Sequence, residues 1–594
     1  WIKDTPPQTV WFFSNDYLEY QNIQKNLPEG WQLKSVGNKI NLVAEEIQDY
    51  MINLDKRISN GKFYTSWLAS NMADRNPYQS DLFLNLCRGI FLVRSAGEET
   101  NNLIYVSDRS LGKALIKICK SSNIDAYWKT SKPKIKSFDF FKSLYAAASG
   151  IRYALQHWWH FRKHSITDTH DFDIGIISWV KSEVGRDITA ISYDTYFGNL
   201  PKWLNNFNFS VSWLLSPMSW NSSLPQISSN IYSKKQKILP IPASIGLMTI
   251  LRAVAGWIVF RFAIMKKFEL AGIDLSPIIG WASEKELRSP HIIQALLYSD
   301  IAKKLNQAGI KPKIIIYLYE NQPWEKIMLA SFRRFLPDTK MIGFLHNPFA
   351  KLYLNCYPSK QQWSEGTAPD KLMVMGDYIR DLLLKSGSPV EKIKIGGHLK
   401  NPKFARILKT QDSKNLRKNK NILVSCPLNR SEAIELVHKA AVATSTINDV
   451  RLLVNFHPVS SKQLILSIKA STENFADYNH IRYVKGAAQK WLKQSDLLLY
   501  NSSGTVFDAS AEGIPSVYVG PLAGLDLDKL SGETNQKCRT PEDLNTIIVA
   551  LLTSSSKAAN QVATAQKQMH ELFSMPNKET WHSIFIDLQK MEQS

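Results

Sequence analysis

The segment SDLLLYNSSGTVFDASAEGIPSVYVGP, residues 495–521, decides the fold. Leu497–Tyr500 is a short apolar run of strand length. Asn501-Ser502-Ser503-Gly504 is a turn of small polar residues, and Thr505–Glu512 reads as a helix stopped by Gly513 and Pro515. Ser516–Val519 returns as the next strand. Strand, turn, helix, strand is the unit of a parallel sheet, and it places the turn at the sheet's carboxyl edge, where open α/β folds bind ligands. A helix that begins behind a hydroxyl-rich turn presents backbone N–H groups and the positive end of its dipole, which suits an anion. A phosphate seat is therefore predicted at Ser502–Thr505. Upstream, RLLVNFHPVSS (451–461) is a strand that delivers His457 and Pro458 at its end, beside that seat.

An HP dipeptide at a strand end, followed by an SS(G/T) turn, resembles the motif pair of bacterial CMP-sugar-dependent transferases of the sialyl-, polysialyl- and Kdo-transferase kind. The wider segment, about 371–552, is similar to the donor-binding half of a GT-B glycosyltransferase. The resemblance implies that His457, Pro458, Ser502, Ser503, Gly504 and Thr505 hold the cytidine nucleotide and its phosphate. It implies a ribose contact for Asp508, where Glu is the more usual residue, and a donor contact for Lys400 at the end of Gly396-Gly397-His398-Leu399-Lys400. As a solvated surface lysine, Lys400 would be equally unremarkable. Asn429 belongs to the Pro427–Arg430 turn after the strand Asn421–Ser425, and is expected to face the donor.

The expected fold class is α/β of the GT-B type: two Rossmann-like domains facing across a cleft, with a helical and irregular insertion in the first. Residues 1–395 form the first, acceptor domain, with the insertion at about 130–290. Residues 396–570 form the nucleotide-sugar domain, and 571–594 a helix packed back on the first. A chain of 594 residues exceeds a single hydrophobic core and corresponds to about three to four domain-sized units.

The first half supplies the second wall of the cleft. Lys313–Tyr319 (KIIIYLY) is its strongest strand and ends in Glu320-Asn321-Gln322-Pro323-Trp324-Glu325, with Pro323 starting a helix. The next strand, Met341–Leu345, ends in His346. A carboxylate and an imidazole thus take equivalent strand-end positions on consecutive βα units. Glycosyl transfer needs a base for the acceptor hydroxyl or a nucleophile for the sugar, and Glu320 suits either role. His346 is placed to hydrogen-bond the acceptor or tune Glu320. The structural alternatives are a helix-start carboxylate stabilised by the dipole and a satisfied strand-end histidine. The YEN-QPWE pattern resembles bacterial surface-carbohydrate transferases, which favours the functional reading of Glu320.

Net charge is +21, from 73 basic and 52 acidic residues. Such an excess points to an anionic partner. Seventeen tryptophans and basic aromatic stretches such as HWWHFRKH (157–164) suit a membrane interface better than a nucleic-acid groove, and no nucleic-acid-binding module is visible. The segment Ser244–Met265 is apolar but carries Arg252 and Arg261, too many charges for a span. They fall on opposite faces of a helix, so the segment is not a clean interfacial amphipath either; buried helix and membrane-surface contact are the two readings. Five scattered cysteines indicate a reducing compartment rather than a disulfide framework or zinc site. Asp171–Asp173 (DFD) and Asp526–Asp528 (DLD) match the DxD metal motif only formally, and no metal is predicted. No cofactor is expected beyond the sugar nucleotide itself. Phe207–Lys237 lacks any period and is expected as an acceptor-binding flap or a poorly ordered stretch.

The resulting expectation is a metal-independent glycosyltransferase that moves an acidic sugar from a CMP-sugar to a surface glycan or lipid-linked acceptor. It would lie in the cytoplasm against the inner face of a bacterial inner membrane, with no signal peptide and no nucleic-acid partner. The alternatives are a GT-B transferase or epimerase using a UDP- or GDP-sugar, and a non-enzymatic protein of glycan assembly that binds acidic glycan or membrane.

Overall fold

The computed structural model describes residues 9–59, 61–96, 102–126, 137–164, 171–180, 196–217, 224–232, 238–264, 267–406, 420–457, 460–473, 480–530 and 536–590. Pro458 lies outside these residues.

The chain opens with a three-stranded parallel sheet, β1 (Thr9–Phe12), β2 (Gln32–Lys34) and β3 (Asn102–Tyr105), in the order β2-β1-β3. Asp108 caps the helix Arg109–Ser121, accepting from the backbone N–H of Ser110 and Leu111. A second, seven-stranded sheet is built from β4 (Ile174–Val180), β5 (Val211–Pro217) and β6 (Ile238–Pro240), with later strands beyond a small hairpin, β7 (Glu269–Leu270) and β8 (Ile273–Asp274). Those later strands are β9 (Ile314–Leu318), β10 (Lys340–Phe344), β11 (Lys371–Val374) and β12 (Ile393–Ile395). Their order is β12-β11-β10-β9-β4-β5-β6, all parallel. β9 is buried at every position, as a strand covered on both faces must be.

The third sheet contains β13 (Lys420–Ser425), β14 (Val450–Asn455), β15 (Ile481–Val484), β16 (Leu497–Tyr500), β17 (Ser516–Val519) and β18 (Lys537–Cys538). It runs β15-β14-β13-β16-β17-β18, again parallel throughout. Numbered from its own first strand, this order is 3-2-1-4-5-6, the doubly wound Rossmann order. The larger sheet has the same winding, with one strand more beyond β11. Two Rossmann-like domains therefore face each other, which is the GT-B architecture.

The extra structure lies elsewhere than the sequence suggested. β4, β5 and β6 fall inside the stretch expected as an insertion, yet β4 sits between β5 and β9 within the first Rossmann sheet. The added unit is the three-stranded sheet and its helices. Periodicity is silent on this point, because β4 pairs with a strand some 140 residues later. The expected irregular stretch 207–237 holds β5, with six of its seven residues buried, and the helix Leu224–Tyr232. VSWLLSP has no alternation because both faces of a central parallel strand are covered. Gly396 and Gly397 make room for another part of this chain. A Cβ on Gly397, whose φ is +77°, would lie 2.6 Å from the Met575 carbonyl, and one on Gly396 would meet the Trp581 ring at 2.9 Å. The two glycines admit the C-terminal chain. Its helix Lys578–Lys590 packs back on the first domain, with Trp581 fully buried and its Nε1 donating to the Gly396 carbonyl at 2.9 Å.

Candidate functional site

Both Rossmann sheets point the carboxyl ends of their strands at one cleft of about 800 Å³. In the second domain the strand order reverses between β13 and β16, and such a switch point opens a crevice for ligand. Ser425 ends β13, and its hydroxyl lies 2.9 Å from Ser503 Oγ and 3.0 Å from Thr505 Oγ1, while Ser503 and Thr505 are themselves 3.0 Å apart. This hydroxyl cluster sits at the switch point. Ser503 Oγ also accepts from the Thr505 N–H at 3.3 Å. Ser502 Oγ donates to Glu432 at 3.3 Å, and burial pushes the Glu432 carboxyl up to about 7. The helix behind the turn, Thr505–Ala511, spans only seven residues. Its dipole is short, and the hydroxyls supply much of the polar character of the seat. A Cβ on Gly504 would meet nothing within 4 Å, so backbone lies open there.

His457 follows β14 and lines the same cleft as Ser502, Ser503, Gly504 and Thr505. Partial desolvation of its ring, with Lys529 nearby, lowers its pKa and favours the neutral form. Asn429 lines the cleft while its side chain caps the helix Arg430–Thr444, accepting from Ser431 N at 3.0 Å and Glu432 N at 3.2 Å. Asp508 lines it too, with Lys403 Nζ at 3.5 Å and Gln489 Nε2 donating at 3.3 Å. Burial raises its carboxyl pKa, and Lys403 opposes the rise. Lys400 is not among the lining residues. Its Nζ stands 5.4 Å from the Tyr196 ring, and its charge reaches the cleft through His346 and Lys529.

The opposite wall is the carboxyl edge of the first domain. Glu320 follows β9 at that sheet's own switch point, next to β4. His346 follows β10, and its Nε2 lies 3.5 Å from Glu320 Oε1 and 2.6 Å from Asn347 Nδ2. Its Nδ1 is buried with no partner among the described residues. Burial, helped by Lys400, His398 and Lys529, pushes the imidazole down to about 3, so His346 is neutral. Burial raises the Glu320 carboxyl above the ordinary glutamate range, opposed by the Gln322 amide and the Lys529 charge.

Glu325, rather than Glu320, fills the structural role at the helix start. Its buried carboxyl accepts from the backbone N–H of Glu320 at 3.1 Å, Asn321 at 2.9 Å and Gln322 at 3.2 Å, and these donors oppose the burial and the Glu320 charge that raise its pKa well above the ordinary glutamate range. Asn321 takes the left-handed conformation, φ +56°, and turns the backbone so that Glu320 looks into the cleft. Strained non-glycine positions of this kind cluster at functional sites. With Glu325 holding the helix start, the Glu320 carboxylate is left for other work, and its side chain is 37% exposed.

Several lining residues escaped the sequence. Lys529, in the loop after β17, brings a cation whose field reaches Glu320, Cys356 and Lys400. The loop after β17 is a strand-end loop like the others, so the carboxyl-edge rule contained the signal. Asn76, Tyr78 and Gln79 come from the added N-terminal unit, which nothing local connects to the site. That unit holds both domains. Asn41 Nδ2 and Arg88 Nη2 donate to the carbonyls of Gly524 and Ala523, in the loop that carries Lys529. On the other side, Gln48 Nε2 donates to Lys351 O at 3.0 Å, and Ser359 Oγ to Asp55 at 2.6 Å. The DxD matches have internal partners: Asp173 bonds Ser210 and Lys313, Asp526 pairs with Arg539 at 2.6 Å, and Asp528 accepts from Tyr500 at 2.7 Å.

No protein-family model matches the chain, and no curated protein matches it. Solved structures show a distant likeness. A glycosyltransferase from Rickettsia africae is 13% identical, with 72% of this chain and 100% of that one covered at a TM-score of 0.40. Anabaena HepE in complex with UDP and glucose is 9% identical, with 70% and 99% covered at 0.38. MurG from Acinetobacter baumannii is 12% identical, with 70% and 99% covered at 0.37. At such scores the likeness adds nothing to the fold assignment, which rests on the two doubly wound sheets.

Proposed function

We propose that the protein is a glycosyltransferase that takes its sugar from a nucleotide donor, and that the donor is a CMP-linked acidic sugar. One observation supports this above others: Glu320 and the Ser425–Ser503–Thr505 cluster, each beside the switch point of its own sheet, line a single cleft with His457. The nucleotide lies over the second domain, its phosphate against the hydroxyl cluster, the open backbone at Gly504 and His457. Asp508 takes the ribose. Fixed donors there stabilise the charge that builds on the departing CMP as the sugar passes to the acceptor, at no cost of reorganisation. Lys529 adds a cation in the same space.

Glu320, from the facing wall, acts on the acceptor hydroxyl as base or on the anomeric carbon as nucleophile. Neutral His346 orients it. The raised pKa makes the Glu320 carboxylate a stronger base than an ordinary glutamate. The acceptor is an anionic glycan or a lipid-linked one, drawn by the surplus of Lys and Arg. The choice of CMP rests on the HP and SSGT motifs.

Thermal unfolding with CMP, UDP and GDP side by side tests the donor. A rise in midpoint with CMP above that with UDP or GDP is expected, and its loss in Ser503→Ala places the nucleotide on the cluster. A larger rise with UDP or GDP would replace the donor and leave the transferase reading intact. No rise with any of the three would remove the nucleotide site.

A further inference from the structure

The helix Leu247–Val259 is apolar on its buried side and on its exposed side. Thr249, Ile250 and Ala253 are buried, and Leu296 and Ile293 belong to the core on which this helix and the helix Ser137–Phe161 both pack. Outward, Leu247, Leu251 and Ile258 are each more than half exposed, and so is Phe262 on the turn beyond, where its ring also meets that of Phe63 at 6.3 Å. The spacing of four, seven and four residues makes one continuous stripe. Apart from Arg252, every side chain of this helix other than Thr249 is apolar, and a helix apolar on two faces is normally buried in a core or in lipid.

The stripe does not stand alone. On the helix Ser137–Phe161, Phe141 and Tyr145 are 63% and 77% exposed, and further along Trp159 is 55% exposed. Leu144 and Ile258 line one groove of about 1380 Å³, so the start of this helix meets the end of the other. Adjacent exposed apolar residues on two helices form a patch of the kind that marks a protein or membrane contact.

What borders the patch selects between those occupants. The groove carries Arg109, Lys113 and Lys117 from one helix, with Arg261 and Arg288 from elsewhere, against Asp274 and Glu284. Arg261 falls on the turn Phe260–Phe262, beyond the end of the helix. The expectation that Arg252 and Arg261 spoil an amphipathic surface from opposite faces therefore does not hold. Arg252 is ion-paired to Asp300 at 2.6 Å. Trp257 and Trp281 line the groove among the cations. Cations around apolar and tryptophan side chains match an anionic lipid interface, where tryptophan favours the headgroup level and each basic residue adds attraction. A second copy with the same +21 charge would bring cations against cations.

We infer that the outward faces of the helices Leu247–Val259 and Ser137–Phe161, with the cationic groove between them, dock the protein on an anionic bilayer. The apolar stripe enters the headgroup region, and the groove cations hold phosphate headgroups. The contact is interfacial: no described helix is long and apolar enough to cross a membrane. The inference is independent of the donor and of the chemistry in the cleft.

Flotation of the full chain with vesicles tests it. One set is pure phosphatidylcholine, the other equal parts phosphatidylcholine and phosphatidylglycerol. Binding to the anionic set is expected to exceed binding to the neutral set and to weaken in high salt. Leu251→Asp and Ile258→Asp replace exposed side chains, so the unfolding midpoint should hold while each weakens binding about tenfold or more. Lys113→Glu with Lys117→Glu should weaken it as well. Equal binding to both vesicle sets, or binding untouched by the two aspartate variants, would overturn the inference. So would self-association, seen by sedimentation, that the aspartate variants abolish.

Discussion

Exchanging the two glutamates at the end of β9 for glutamine, one at a time, separates chemistry from architecture. Glu325 accepts three backbone N–H groups at 2.9–3.2 Å in a fully buried setting. In Glu325→Gln one acceptor oxygen becomes an NH2 facing donors. Leaving buried donors unsatisfied costs on the order of 1–3 kcal/mol, and in a domain of this size each kcal/mol lowers the midpoint by about 2–4 °C. A fall of several degrees is therefore expected. Burial raises the pKa of both carboxyls, so the three backbone donors that only Glu325 satisfies are what separates the two variants. In Glu320→Gln the amide keeps an acceptor for Gln322 and removes a carboxylate that burial disfavours in its charged form, so the midpoint should hold or rise. Turnover should fall by about 10²–10⁴, or roughly 3–5 kcal/mol of barrier. Differential scanning fluorimetry reads the first quantity. Release of nucleotide from the donor in the presence of acceptor reads the second. Should Glu320→Gln lose as much stability as Glu325→Gln while keeping its activity, Glu320 is structural and the mechanism fails.

Further tests bear on other parts of the site. His457→Ala, at an exposed strand end, should keep the fold and lose about 10²-fold in turnover, as when an oxyanion-type donor is removed; unchanged turnover takes His457 out of the mechanism. Activity that needs ionised Glu320 should rise with pH through a pKa above the ordinary glutamate value. His346, held near 3, and His398, near 4, add no limb between about pH 5 and 8. In Lys529→Met that acid limb should move to higher pH, because the lysine favours the carboxylate; a profile of kcat/KM that does not move disproves the coupling. Trp581→Ala empties a fully buried ring site beside Phe344 and should cost about 3–5 kcal/mol in chemical denaturation. A cost below about 1 kcal/mol would mean the tail does not support the first domain.

Segments whose neighbours are close in the chain declared themselves. The strand–turn–helix–strand of residues 495–521 rests on a short apolar run, a hydroxyl turn and a Gly-Pro stop, and β16, the helix and β17 lie where those signals put them. Glu320 and His346 were legible for the same reason, since each ends a strand and parallel strands aim their carboxyl ends the same way. Three-dimensional pairing decided the rest. Whether β4 belongs to an insertion or to the heart of a sheet depends on β9, far along the chain, and no periodicity encodes that partner. The added N-terminal unit reaches the cleft through Tyr78, and Lys529 through a loop pinned by Asn41 and Arg88. Local sequence sets which atoms a residue offers and which way its element points. Only packing brings Glu320 and Ser503, 183 positions apart, to the same cleft.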